Sequence, residues 1–557
     1  MSIRGLKRTA GHVIVEAARA NGMTTLFGVP GAQIYPLFDA LYGTDVELIV
    51  PRHEQAAAYM AMGYAKSTGR TGVFSVVPGP GVLNASAALC TAMGNCAPVV
   101  CLTGQIPTEF LGRGRGHLHE LADQCGTLRS LIKDAWRIDS PTDASRLVNR
   151  AFNAAASGRP GPIAVEMCWD TMASETAAAI EPAGAAPEPS GPDPDAIEAA
   201  VRLLATAKKP LLMCGAGAQH AAREVRALAE ALQAPVTAFR SGRGVVPEDH
   251  ALGVAGVAAR ELWDDVDVLV GIGSRLEMPY VRWRDPMRYE RRPTGPKLIR
   301  IDIEPEEMQR LVPDVAIVAD SAPACRDLTE RLAGRVSADP HRREEIAAAK
   351  LVAAAAFERI QPQTDYLRAI RGVLPRDGIL VPELSQAGFT TYTGAFPVLA
   401  PRTYISEGFQ GTLGFGFPTA LGVKVANKDK AVVSITGDGG FMFGVQELAT
   451  AAAYGIGLVT VVFNNSSFAN VLRDQELQYG GRTIGSRLKN PDFVRLAESF
   501  GVAARRVTEP RELARTLEAE LALARPALIE VALEPGGETS PWPFIHMRRR
   551  PSEILRA

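Results

Sequence analysis

Two side chains suited to a metal ion stand 27 positions apart, each directly after an apolar run. Asp438 follows AVVSIT within Gly437-Asp438-Gly439-Gly440, and Asn465 follows LVTVVF and Asn464. A carboxylate, an amide oxygen and a nearby backbone carbonyl are hard oxygen ligands of the kind Mg²⁺ takes, with phosphate and water completing its shell. Gly437, Gly439 and Gly440 let backbone amides approach a diphosphate, and a helix starting there can turn its N-terminus to it. Read singly, GDGG is a turn and Asn464-Asn465 a strand terminus. Together, after two strand-like runs, they predict a metal-bridged diphosphate site. Glu54 is the second candidate. It follows the strand-like ELIV in Arg52-His53-Glu54 and opens a helical pattern, so it stands where a strand meets a cleft. Alone, it reads as an acid in a helix's first turn, where the dipole favours it.

These residues need strands to carry them. Thr25–Gly28, GVFSVV, PVVCLTG, KPLLMCGAG, VDVLVGIGS, KLIRIDIEP, AVVSITGDG, LVTVVFNN and PALIEVAL are strand candidates separated by helical text. Near-continuous Val/Ile/Leu runs that end at Gly or a polar residue suit parallel strands covered on both faces. Ligands of such sheets gather at the carboxyl ends of strands. The expected fold class is therefore α/β, in three domains that each carry a largely parallel sheet flanked by helices. A Pro- and Ala-rich stretch, EPAGAAPEPSGPDP, reads as a linker, and the charged, Ala-rich text from about 333 to 356 as a linker with an entering helix. The predicted domains are 1–180, 190–335 and 357–557.

Composition narrows the class of function. The 557 residues exceed what one core usually serves. Sixty Lys and Arg against 61 Asp and Glu leave a net charge of −1, with no general field to gather nucleic acid or an anionic membrane. No apolar run approaches the length of a span. Seven scattered Cys, with Cys90, Cys96 and Cys101 in apolar text, read as small buried thiols, and a cytoplasmic protein is expected.

With GDGG and NN in place, the chain resembles the thiamine diphosphate-dependent enzymes of the acetolactate synthase, pyruvate oxidase and benzoylformate decarboxylase group. FGVPGAQIYPLFDAL, RHEQAAAYMAMGYAKSTGRTGV, PGPGVLNA, PVVCLTGQIP, RPGPIAVE, GFQGTLGFGFPTALG and FNNSSF match in the family's order. The resemblance implies a pyrimidine-binding domain, a central domain and a diphosphate-binding domain. It implies that the side chains of Asp438 and Asn465 and the Ser467 carbonyl hold Mg²⁺. It also implies that Glu54 faces the aminopyrimidine and manages its proton. The Gly411 carbonyl receives the 4′-amino group, and Leu413, a core residue on sequence alone, wedges between the cofactor's rings. Ser385, Gln386 and Gly388 replace a GQH-type diphosphate loop, so the usual His is missing there. The implied partners are a small 2-oxo acid and other copies of the chain, in a homodimer or homotetramer with the cofactor at the subunit interface.

Three departures bear on the substrate. Where acetolactate synthases carry a Trp and a Met near the acceptor channel, this chain has Asp474 and Asn470. A GRGRGHLHELADQ stretch brings Arg113, Arg115, His117 and His119 toward the pocket. Histidine relays protons near neutral pH and guanidinium pairs with carboxylates, so His117 or His119 is a candidate proton donor; a solvated loop is the plain alternative. Gln33, after the GVPG turn, is a further candidate for substrate contact. In the central domain Gly215, Gly217, Gly271, Gly273 and Ser274 leave FAD binding open. The expected activity is decarboxylation of a 2-oxo acid to an enamine and its transfer to a carbonyl acceptor. The alternative is a non-oxidative 2-oxo acid decarboxylase or aldehyde lyase.

Overall fold

The structure is a computed structural model that describes residues 7–184, 191–278, 295–336, 339 and 341–556. It contains three sheets, and every strand pairing in them is parallel. The first sheet runs, edge to edge, through Glu47–Ile49, Thr25–Gly28, Gly72–Val76, Val99–Gln105, Ile163–Cys168 and Asp134–Ile138. The second is Val315–Val318, Lys297–Asp302, Val268–Ile272, Leu211–Cys214 and Val236–Thr237. The third is Ile379–Pro382, Val432–Gly437, Val459–Asn464, Ala527–Ala532 and Ala503–Val507.

The central strands are those the apolar runs predict, because helices bury both of their faces. Two strands lack such a run, Asp134–Ile138 and Ala503–Val507. Both lie at a sheet edge, and exposed or half-buried residues interrupt their buried ones, so alternation dilutes the apolar signal. A third edge strand, Val315–Val318, is apolar in every letter but alternates buried with exposed residues.

The first and third sheets share a hydrophobic core within the chain, in which Phe27, Met60, Phe74, Leu421, Phe441 and Phe493 are members. Helix Glu54–Thr68 lies on helix Gly416–Ala426 at this seam. A methyl group at Gly63 would sit 2.3 Å from the Thr419 carbonyl oxygen, and one at Gly422 would sit 2.1 Å from that of Met60. The two helices approach this closely because both positions lack a side chain.

The second sheet has a separate core. Helix Arg342–Phe357, in the stretch read as a linker with an entering helix, buries Ile346, Ala349, Ala353 and Ala356 in that core. Phe544 and Met547, far along the chain, join the same core. Among the described residues no helix is long and apolar enough to cross a membrane. Cys101 is buried, but Cys90 and Cys96 are only half-buried, and Cys96 lines a cavity.

Candidate active site

The carboxyl ends of three neighbouring strands of the third sheet meet at one place. Gly437 pairs with Phe463 across the sheet, which puts Asp438 level with Asn464 and one step from Asn465. Asp438, Asn465 and Ser467 are 2%, 7% and 8% exposed. Asp438 Oδ2 accepts the Asn490 amide at 2.6 Å, and the same Asn490 nitrogen donates to Asn464 Oδ1 at 2.9 Å. Asn465 Oδ1 accepts both the backbone N–H (3.0 Å) and the hydroxyl (2.9 Å) of Ser467, while Asn465 Nδ2 donates to Glu538. Burial raises the Asp438 carboxyl above its ordinary range, against the bond from Asn490 and backbone N–H groups. Burial raises Glu538 to about 7, with the charge of Asp438 adding to the effect. Buried acids held this way gain from a cation, and a carboxylate beside amide and carbonyl oxygens fits Mg²⁺. The helix beginning at Asp438 is a single turn, Asp438–Phe441.

The neighbouring loop starts at Ser385, whose hydroxyl accepts the Gly388 N–H at 3.0 Å and caps helix Gln386–Thr393. The Gln386 side-chain oxygen is buried with no hydrogen-bond partner among the described residues, an arrangement that a ligand or water would satisfy. Just before this loop, Glu383 is buried and ties three segments together. It accepts the Gly414 N–H at 2.5 Å, the Gly416 N–H at 3.1 Å and the Thr436 hydroxyl at 3.0 Å. Burial outweighs these bonds and pushes Glu383 up to about 7. Gly440 packs against the same carboxylate: a methyl there would come within 2.3 Å of it. The loop that Glu383 holds carries Gly411, at φ +61°, and Leu413. Leu413 is half-buried and not in the core, because its loop lines the open end of the sheet.

Glu54 opens helix Glu54–Thr68, with the His53 ring nitrogen capping the helix from the Gln55 N–H at 3.1 Å. It is half-buried and accepts the Asn84 amide at 3.0 Å. The chain entering Glu54 is anchored on the third domain. The Val50 N–H donates to the Tyr454 hydroxyl at 3.0 Å, and the Arg52 N–H donates to the Glu447 carboxylate at 3.1 and 3.0 Å. Glu447 is fully buried and also accepts the Thr450 hydroxyl at 2.6 Å.

The structure joins Gln33 with His119 and leaves His117 apart from them. Gln33 is 0% exposed; its amide donates to the Leu118 carbonyl at 2.7 Å, and its oxygen lies 2.5 Å from His119 Nδ1. With the Gln33 oxygen as acceptor, that contact places a proton on Nδ1, and burial lowers the His119 pKa. His117 stacks on Phe110 with ring centres 4.5 Å apart. Arg113 and Arg115 are exposed. Asn470 accepts the Trp542 indole N–H, and Arg473 pairs with Asp474 at 2.6 Å and donates to Ser540 at 2.5 Å. A tryptophan thus reaches this helix from a later segment, where the sequence comparison placed none.

Sequence reasoning missed Glu383, Glu447, Asn490 and Glu538. The first carried a signal, an acid at the end of the wholly apolar ILVP strand; the others stand in ordinary polar text.

A separate cavity of about 780 Å³ lies between the central domain and its neighbours, lined by Gly215, Gly273, Asp302, Arg159, Lys66 and Phe409 among others.

Fold and site together define a three-domain α/β protein with an oxygen-rich cleft at the carboxyl end of its third sheet. Known families match in the same order: the thiamine pyrophosphate enzyme N-terminal TPP binding domain over residues 8–127, the central domain over 197–328 and the C-terminal TPP binding domain over 387–531. The chain is 34% identical to a probable acetolactate synthase large subunit of Methanocaldococcus jannaschii, covering 94% of this chain and 92% of that one. It is 33% identical to the acetolactate synthase large subunit of Parasynechococcus marenigrum, over 95% and 88%. It is 31% identical to a probable 2-ketoarginine decarboxylase of Pseudomonas aeruginosa, over 94% of each. The chain belongs to the thiamine pyrophosphate enzyme family. It is an enzyme of the class that acts on 2-oxo acids by decarboxylation and carboligation.

Proposed function

We propose that the chain decarboxylates a 2-oxo acid such as pyruvate and adds the remaining unit to a second carbonyl, forming a ketol as acetolactate synthases do. The observation that carries this reading is the meeting of Asp438, Asn465 and the Glu383-held Leu413 loop at the open end of one sheet. When bound, thiamine diphosphate supplies the nucleophilic carbon and the electron sink for this chemistry. The protein's part is placement and proton management. Asp438, Asn465 and the Ser467 carbonyl hold Mg²⁺. Ser385, Gln386 and Gly388, with Gly437, Gly439 and Gly440, cradle the diphosphate. Gly411 and Leu413 set the position of the pyrimidine, and Glu54 exchanges a proton with its ring nitrogen. His119, whose ring is oriented by Gln33, serves as the substrate-side proton carrier, whereas His117 staples its loop to Phe110.

The domain limits in this reading are 1–180, 190–335 and 357–557, and the assembly is a homodimer or homotetramer. Glu54 of one chain then serves the Asp438 site of its partner. Seven unpaired thiols support a cytoplasmic location. The 780 Å³ cavity has the size and the glycine-rich strand ends that a nucleotide such as FAD requires; flavin absorbance in the supernatant of denatured protein tests it.

A second reading, simple decarboxylation, is favoured by the polar Asn470 and Asp474 at the expected substrate entrance and by likeness to the probable 2-ketoarginine decarboxylase. Labelled pyruvate, with and without a carbonyl acceptor, separates the two. Acceptor-dependent ketol supports the transferase, and CO₂ with free aldehyde overturns it.

A further inference from the structure

Asn465 can serve a cation only through its oxygen, and an asparagine amide presents either edge equally well unless something selects one. Here Glu538 does the selecting. Asn465 Nδ2 donates to the Glu538 carboxyl, so the edge of Asn465 that faces it is the NH₂ edge. The oxygen is thereby turned to the opposite side, where the Ser467 N–H and hydroxyl meet it at 3.0 and 2.9 Å. On the far side of the site, Asn490 fixes Asp438 in the same manner at 2.6 Å. We propose that Glu538 is a positioning residue of the metal centre, holding the Asn465 amide with its oxygen toward the cation. This rests on the reading of Asp438, Asn465 and Ser467 as the Mg²⁺ site.

Residues that orient a metal ligand from behind typically change metal affinity by about 10–100-fold when removed. The test uses full-length protein saturated with thiamine diphosphate and Mn²⁺ as a probe visible by electron paramagnetic resonance. Glu538→Ala is expected to weaken Mn²⁺ binding by about 10–100-fold. Glu538→Gln keeps an oxygen that accepts the same N–H and is expected to stay within a few-fold of wild type. Glu538→Asp keeps the charge but withdraws the acceptor, and is expected to be weak. The denaturation midpoint of each variant without metal shows that the fold is retained, and the Gln and Asp pair decides the matter if the Ala variant does not fold. Wild-type affinity in the Ala and Asp variants overturns the proposal. So does a weak Gln variant beside a strong Asp variant, which would make charge alone the cause. Absence of Mn²⁺ uptake by the wild-type protein is a different failure, that of the metal-site reading itself.

Discussion

The backbone N–H of Arg52, two residues before Glu54, is held by both carboxylate oxygens of Glu447 at 3.1 and 3.0 Å. One domain therefore sets the position of Glu54, the proposed proton-managing residue, in another. Glu447→Ala leaves a buried N–H without its partner, which costs about 1–3 kcal/mol locally, and loosens the approach to Glu54. The expected result is a fall in kcat of roughly 10–100-fold, the kind of loss a small misplacement produces, with thiamine diphosphate affinity nearly unchanged. Glu447→Gln, whose amide oxygen still accepts, is expected to recover much of it. Steady-state kinetics with a cofactor titration measures both.

In the proposed site, Asp438→Ala removes the charged ligand that would hold the cation. Mg²⁺-dependent cofactor affinity is expected to fall by more than about 100-fold, beyond the range for residues behind the ligands. Calorimetric titration of thiamine diphosphate with and without Mg²⁺ checks this, and an unchanged affinity removes Asp438 from the site.

Stability should carry a mark of Glu383. Its carboxyl is raised from 4.5 to about 7 in the folded protein by burial. Between those values the folded state holds a proton that the unfolded state has released, so the contribution of Glu383 to stability is greatest below pH 4.5 and declines as pH rises toward 7. The contribution amounts to about 3 kcal/mol at most. Glu383→Gln, neutral throughout, is expected to lose less stability than wild type between pH 5 and 7.5. Urea denaturation midpoints of the cofactor-free proteins at those two pH values provide the comparison, and parallel shifts in both proteins refute it.

The proposed sharing of sites between two chains predicts complementation. Glu54→Gln chains and Asp438→Ala chains are each expected to be nearly inactive. Mixed dimers should contain one intact site and one doubly damaged site, so random exchange at equal amounts restores about one quarter of wild-type activity. Native mass measurement confirms the mixing. Mixed dimers without activity would mean that each chain builds its own site.

Much of the fold and part of the candidate site can be read from the sequence because both leave local marks. Strands buried on two faces write continuous apolar runs, and the polar residues of the candidate site stand directly after them, as at Asp438 and Asn465. The illegible part has a common cause. Glu383 is defined by N–H groups of Gly414 and Gly416, Glu447 by that of Arg52, and Glu538 by an amide some seventy positions earlier. A buried acid whose partners are remote backbone groups leaves no spacing rule behind. Leu413 fails in the opposite direction: an apolar letter in an apolar stretch reads as core, yet its loop lies at the sheet's open end.

The core shared by the first and third domains has a thermal consequence. With Gly63 seated against Thr419 and Gly422 against Met60, neither domain can melt without exposing the other's apolar face. The central sheet, with its own core, is under no such obligation. On heating, the chain should absorb heat as two cooperative units and not three, the larger drawn from both ends of the sequence and the smaller from its middle. Flavin or another nucleotide in the central cavity would delay the smaller transition, while thiamine diphosphate would delay the larger.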